Sequence, residues 1–125
     1  MEKEFNRNII TFKNHFWDFY NQENADVQQK IDWVIGLVKT LKIVPSKFFE
    51  HLTGTDGLWE IRIEFKSNIY RIFCCFDEGN VVVLFNGFQK KSQKTPKSEI
   101  EKAQKLKVEY FEEKLMRNIQ NLNRK

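Results

Sequence analysis

The chemical question begins at Arg71, which stands in the middle of the run IYRIFCCF, a stretch apolar and aromatic enough to form a buried strand. A guanidinium buried among rings is strongly unfavourable unless an anion compensates it, so a carboxylate or a phosphate must come to lie beside it. Arg62 occupies the preceding run, LWEIRIEF, and Lys90, Lys91, Lys94 and Lys97 follow the next one with almost no acidic relief. Cations gathered in this way grip phosphate. A planar guanidinium binds two oxygens at once and keeps its proton.

Other chemistries find little support in the residue pattern. His15 and His51 lack the companion spacing of a metal site and read as structural or exposed. Cys74 and Cys75 are neighbours in a predicted strand and point to opposite faces, so a disulfide between them is not expected and both read as reduced packing residues. No glycine-rich phosphate loop, nucleophile elbow or spaced carboxylate dyad is present, and no cofactor motif stands out. What remains is a site built of cations, needing neither metal nor enzyme nucleophile.

The elements that must position these groups follow from periodicity. Glu4 to Phe12 reads as a short strand or extended lead-in carrying Ile9 and Ile10. From Phe12 the rings of Phe16, Phe19 and Tyr20 recur at helical spacing, and after Asn24 a stripe of Val27, Ile31, Val34, Leu37 or Val38, and Leu41 repeats it, which predicts a helical hairpin ended by Pro45. His51 to Gly57 is rich in turn formers and reads as a loop. LWEIRIEF, IYRIFCCF and NVVVLFNGF then predict three antiparallel strands joined by tight turns at Ser67-Asn68 and Glu78-Gly79. Thr95 as cap, Pro96 at the first helical position and Glu99 in the first turn open a last helix through Ile100, Ala103, Leu106 and Tyr110, expected to fray beyond Arg117.

Alternation in LWEIRIEF sets Trp59, Ile61, Ile63 and Phe65 on one face and Glu60, Arg62 and Glu64 on the other. With the turns as read, Glu64 pairs with Arg71, Arg71 lies across from Asn86, and Phe88 and Lys90 follow on the same face. The expected surface then carries Arg62, Arg71, Asn86 and Lys90 beside Phe73 and Phe88, running into Lys91, Gln93 and Lys94. Cations beside exposed rings suit single-stranded RNA, whose phosphates they hold and whose unpaired bases they stack. The plainer possibility is a Glu64–Arg71 salt pair, with Phe73 and Phe88 under the last helix.

Composition bounds the rest. The 125 residues carry a net charge of +4, with 14% aromatic and 30% charged residues, which fits one folded domain, residues 1–125, with a solvated shell. The N-terminal MEKEFNRN has no apolar signal region, and runs such as VVVLF fall far short of a membrane span, so a cytoplasmic protein with no membrane partner is expected.

The ordered combination GLWEIRIEF, IYRIFCCFDEGNVVVLFNGFQKKSQKTP and EIEKA, preceded by VQQKIDWVIGLVKTL and PSKFFEHLTGTDG, resembles the RelE/ParE toxin superfamily, and within it the HigB-like branch that includes phage-derived members. The likeness spans nearly the whole chain. It implies an α+β fold, with two N-terminal helices and a C-terminal helix packed on a mostly antiparallel sheet containing a three-strand meander. It also implies a type II toxin–antitoxin toxin: a ribosome-dependent endoribonuclease that cleaves mRNA and is neutralised by an antitoxin, often of helix-turn-helix or Xre type. Arg71 matches the arginine that members place near the scissile phosphate, Arg62 a basic position on the preceding strand, and Lys90, Lys91, Lys94 and Gln93 the segment after the last strand. Glu60 departs from relatives that often carry lysine there, and the general acid and base stay unassigned. Two other functions are compatible with the same scaffold: a gyrase-targeting toxin, and a non-enzymatic phage or mobile-element binding protein.

Overall fold

The computed structural model describes residues 6–124. Its elements run β1 (Asn8–Thr11), α1 (His15–Gln22), α2 (Ala25–Thr40), β2 (Phe49–His51), β3 (Leu58–Phe65), β4 (Asn68–Phe76), β5 (Val81–Lys90) and α3 (Lys97–Asn123). The five strands form one sheet in the order β1-β5-β4-β3-β2, with β1 parallel to β5 and every other pair antiparallel. The expected α+β architecture and its meander, β3-β4-β5, are both present.

The sheet is covered on two sides. Alternation sends Ile61, Ile63, Tyr70, Ile72, Cys74, Val82 and Leu84 into a core with Phe16 and Phe19 of α1 and Val27, Ile31, Val34 and Val38 of α2. The opposite face sends Leu58, Phe73, Cys75, Val83 and Phe85 toward Ala103, Leu106 and Tyr110 of α3. Cys74 and Cys75 are therefore buried in different layers, and both thiols are free. Asn24 starts α2 by accepting a hydrogen bond from the Val27 N–H at 3.0 Å.

Several boundaries differ from the sequence reading, each for a local reason. The first strand is confined to Asn8–Thr11, and the part of the expected segment before residue 6 lies outside the described residues. Phe12 does not start a helix but turns into the α3 layer, where its ring meets Tyr110 at 5.4 Å. His51, read as loop, closes β2, a strand of three residues and too short to show a period. Pro96 caps α3 rather than opening it, and the helix runs on to Asn123 instead of fraying after Arg117.

The decisive differences are in register. The β3–β4 turn is Lys66-Ser67, both left-handed with φ of 48° and 71°, the conformation of a tight two-residue hairpin turn. Arg71 consequently pairs with Arg62, and Glu64 with Ile69, in place of the expected Glu64–Arg71 pair. Shifting the turn by one residue moves each partner by two, so the polar face is preserved while its neighbours change. Between β4 and β5 the Asp77 N–H donates to the Val81 carbonyl at 2.8 Å, and the ladder shifts between Ile72 and Cys74. Beyond that bulge Arg71 faces Phe88, not Asn86.

Candidate nucleic-acid interface

β2 pairs with β3 only as far as Ile61, leaving the rest of the β3 edge without a strand partner. Around that edge opens a cleft of about 560 Å3, with Arg62 and Arg71 on the sheet side. Its lining adds Lys66 from the hairpin turn, Lys47 from the segment before β2 and Lys30 from α2, against one carboxylate, Glu64. The two arginines are adjacent because of the observed register, which sets them directly opposite each other on neighbouring strands.

Glu60 ties them together. Its Oε1 lies 3.5 Å from Arg62 Nε and 3.8 Å from Arg71 Nε. The second gap exceeds hydrogen-bond length, so the attraction there is electrostatic only. Arg71 Nη1 donates to the Tyr70 carbonyl at 3.1 Å, while Arg62 Nη1 donates to Glu50 Oε2 at 2.9 Å. Both Arg71 and Glu60 are buried, at 6% and 7% exposure, yet Arg71 Nε and Glu60 Oε2 have no hydrogen-bond partner. Burial pulls the Arg71 pKa below its ordinary value and Glu60 partly restores it, while Arg62 lowers it again. The guanidinium stays charged, since an arginine is effectively never deprotonated in a protein. A buried guanidinium with an unused N–H beside an open cleft is chemically suited to receive a phosphate.

The expected single pocket of arginines and C-terminal lysines is not what the structure assembles. Lys91 lines a second cleft, of about 420 Å3, with Asn86, Phe88, His15 and Lys102 between α1, β5 and α3. Lys90 pairs with Ile69, one step beyond the Arg71–Phe88 pair on the same face, and Lys94 and Gln93 are exposed in the loop before α3. Asn86 is buried and donates to the Glu99 carbonyl at 3.1 Å and to its Oε1 at 3.0 Å, so its amide nitrogen fastens the start of α3, while its Oδ1 has no hydrogen-bond partner. Phe73 is fully buried beneath α3 and cannot stack a base. Phe88 is half-buried, its ring 5.2 Å from that of Phe73. The rings therefore lie under or against the last helix, the plainer of the two arrangements considered from sequence.

Sequence reasoning missed Glu60 as the shared partner, and it missed Lys30, Lys47 and Lys66. The alternation of β3 had placed Glu60 on the arginine face, but only the true register brings both guanidiniums to it. Nothing local to Lys30 or Lys47 signals a cleft formed where α2 and the segment before β2 come to lie beside β3. Among the described residues no group of three or more His, Cys, Asp or Glu is placed to hold a metal ion, and no helix is long and apolar enough to cross a membrane.

Comparison with known proteins decides the family. The model of the family described as Phage derived protein Gp49-like (DUF891) matches residues 18–108, from the middle of α1 into α3. The chain belongs to this phage-derived, Gp49-like family. The matched segment contains α2, the whole meander and every residue named above for the arginine cleft. The phage-derived branch picked out by the strand motifs is the one found. No curated protein matches the chain. Among solved structures, the archaeal RelE–RelB complex from Pyrococcus horikoshii OT3 matches with 13% sequence identity and a TM-score of 0.49, over 66% of this chain and 92% of that one.

Proposed function

We propose that this Gp49-like chain is the toxin of a type II toxin–antitoxin pair and acts as a ribosome-dependent mRNA endoribonuclease. The observation that carries the reading is the pair of opposed guanidiniums, Arg62 and Arg71, one of them buried with an unused donor, at the floor of a lysine-walled cleft. Membership of the phage-derived family and the resemblance of the strand motifs to HigB-like toxins support it.

RNA brings its own nucleophile. Its 2′-oxygen attacks the adjacent phosphorus, the bond from phosphorus to the 5′-oxygen breaks, and a cyclic phosphate remains. Arg71 and Arg62 hold the non-bridging oxygens and stabilise the added charge. Glu60, the carboxylate lying between them, accepts the proton of the 2′-hydroxyl. The 5′-oxygen leaves with a proton from an ammonium of the cleft wall. A site this sparse in acid and base groups gains from a partner that holds the strand in the reactive geometry, a role the ribosome fills. A cognate antitoxin, of helix-turn-helix type, would keep the cleft in check.

Brief induction in growing cells with mRNA end mapping, beside Arg71→Ala, tests the reading. Cuts phased with the reading frame should appear and fall about 10²–10³-fold in the variant, the usual cost of losing a preorganised donor. Undiminished cutting by Arg71→Ala would remove Arg71 from the site. DNA-damage signalling without mRNA loss would replace the ribonuclease by a gyrase-targeting toxin.

A further inference from the structure

Beside the cation wall of the cleft stand two aromatic rings, Phe48 in the lining and Trp33 against it. Trp33, on the outer side of α2, is 51% exposed, and the packing stripe of that helix runs through Val27, Ile31, Val34 and Val38 without it. Phe48 meets the indole edge to face, with centroids 5.6 Å apart. Lys30 Nζ sits 4.5 Å over the Trp33 ring, and Lys47 Nζ lies 5.6 Å from the centre of the Phe48 ring. Lys30, Lys47 and Phe48 line the same cleft as Arg62 and Arg71.

We infer that Trp33 and Phe48 form a stacking platform for an unpaired base of the RNA strand, and that Lys30 and Lys47 hold the phosphate next to it. The inference rests on the reading of Arg62 and Arg71 as the phosphodiester site and extends the strand away from it. Three features favour it. The cleft, at about 560 Å3, is far larger than one phosphate needs. Each of the two rings has an ammonium beside it, the pairing of π-face and cation that single-stranded nucleic acid uses. A partly exposed lysine on an indole is held only weakly, so a base can displace Lys30, which then turns to the strand's backbone. A protein partner would instead call for a continuous apolar patch, and here five cations line the cleft that Phe48 shares, two of them beside the rings.

The test uses the purified full chain and two fully 2′-O-methylated, hence uncleavable, single-stranded RNAs, a dinucleotide and an octanucleotide. Trp33→Ala should weaken octanucleotide binding roughly 5- to 150-fold, the span reported for one stacked base. Dinucleotide binding should not change, and Trp33→Phe should recover most of the loss. Equal octanucleotide affinity in wild type and Trp33→Ala, with binding still dependent on Arg71, overturns the platform and leaves the phosphate site standing. An equal loss for both RNAs also overturns it, since the defect is then in the fold. Failure of the wild-type chain to bind either RNA overturns the platform, whereas the functional reading beneath it stands or falls on the ribosome-phased mRNA cuts.

Discussion

Glu60→Gln separates binding from chemistry. The amide keeps the shape of the side chain but removes the negative charge shared by two guanidiniums, which lie 3.5 and 3.8 Å from Oε1. At an effective dielectric near 20, unit charges at such distances attract by roughly 4 kcal/mol each, a gross figure that desolvation largely offsets. The net loss of stability should be about 1–3 kcal/mol, because Arg71 and Arg62 are left to repel each other. Anion binding should move the other way. A carboxylate about 6 Å from a bound phosphate repels it by roughly 0.7 kcal/mol at the dielectric of water and about 3 kcal/mol at 20. RNA should therefore bind about 3- to 100-fold more tightly once that charge is gone. Cleavage should nonetheless fall about 10²–10⁴-fold, the usual contribution of a positioned base. Single-turnover cleavage on programmed ribosomes, read beside equilibrium binding of an uncleavable RNA, measures the two effects separately. Tighter binding with undiminished cleavage would refute the assignment of Glu60 as base and leave it a damper of positive charge.

Two further predictions probe the scaffold that holds the cleft. A Cβ built at Gly87 would fall 2.4 Å from Phe19 Cδ2, so Gly87→Ala must push a buried ring of α1 off β5. It should cost about 1–3 kcal/mol and several degrees of melting temperature, with partial recovery in the double variant with Phe19→Leu; an unchanged melting temperature would show the contact to be loose. Asp77 anchors α3, accepting from the Tyr110 hydroxyl at 2.6 Å and from Lys114 Nζ at 2.7 Å. Burial pushes its pKa up, but the bonds from Lys114, Tyr110 and the Glu78 N–H outweigh this and leave it below the ordinary carboxylate value. A depressed pKa stabilises the fold above the unfolded value, about 3.9, and this contribution fades as pH falls through the lower folded value. Urea unfolding should thus show a gap between wild type and Asp77→Asn that is full at neutral pH and closes in acid. A gap independent of pH would contradict the linkage.

Periodicity alone was enough for the elements that carry most of the mass. The stripe of α2, the meander with its two-sided alternation in LWEIRIEF, and the need of Arg71 for an anion all depend on residues close together in the chain, where spacing of 2 or 3.6 is a direct record of burial. The separation of Cys74 from Cys75 follows from the same rule. Strand motifs likewise sufficed for the family.

What faces Arg71 was decided only in three dimensions. Moving the hairpin turn from Ser67-Asn68 to Lys66-Ser67 exchanged Glu64 for Arg62, while the longer turn that sets Asp77 against Val81 and the shift between Ile72 and Cys74 each moved the next partner by one, together exchanging Asn86 for Phe88. A one-residue choice of turn costs little locally but displaces every cross-strand partner by two, so periodicity identifies the face and not the neighbour. The lysines show the same limit. Lys90, Lys91 and Lys94 are close to the strands in sequence, yet the sheet carries Lys91 into another cleft. Lys30 shares the cleft with the arginines because α2 packs beside β3, and Lys47 because the segment before β2 is held to β3 by the Arg62 N–H to Phe48 carbonyl bond, contacts between distant segments that leave no local pattern in the chain.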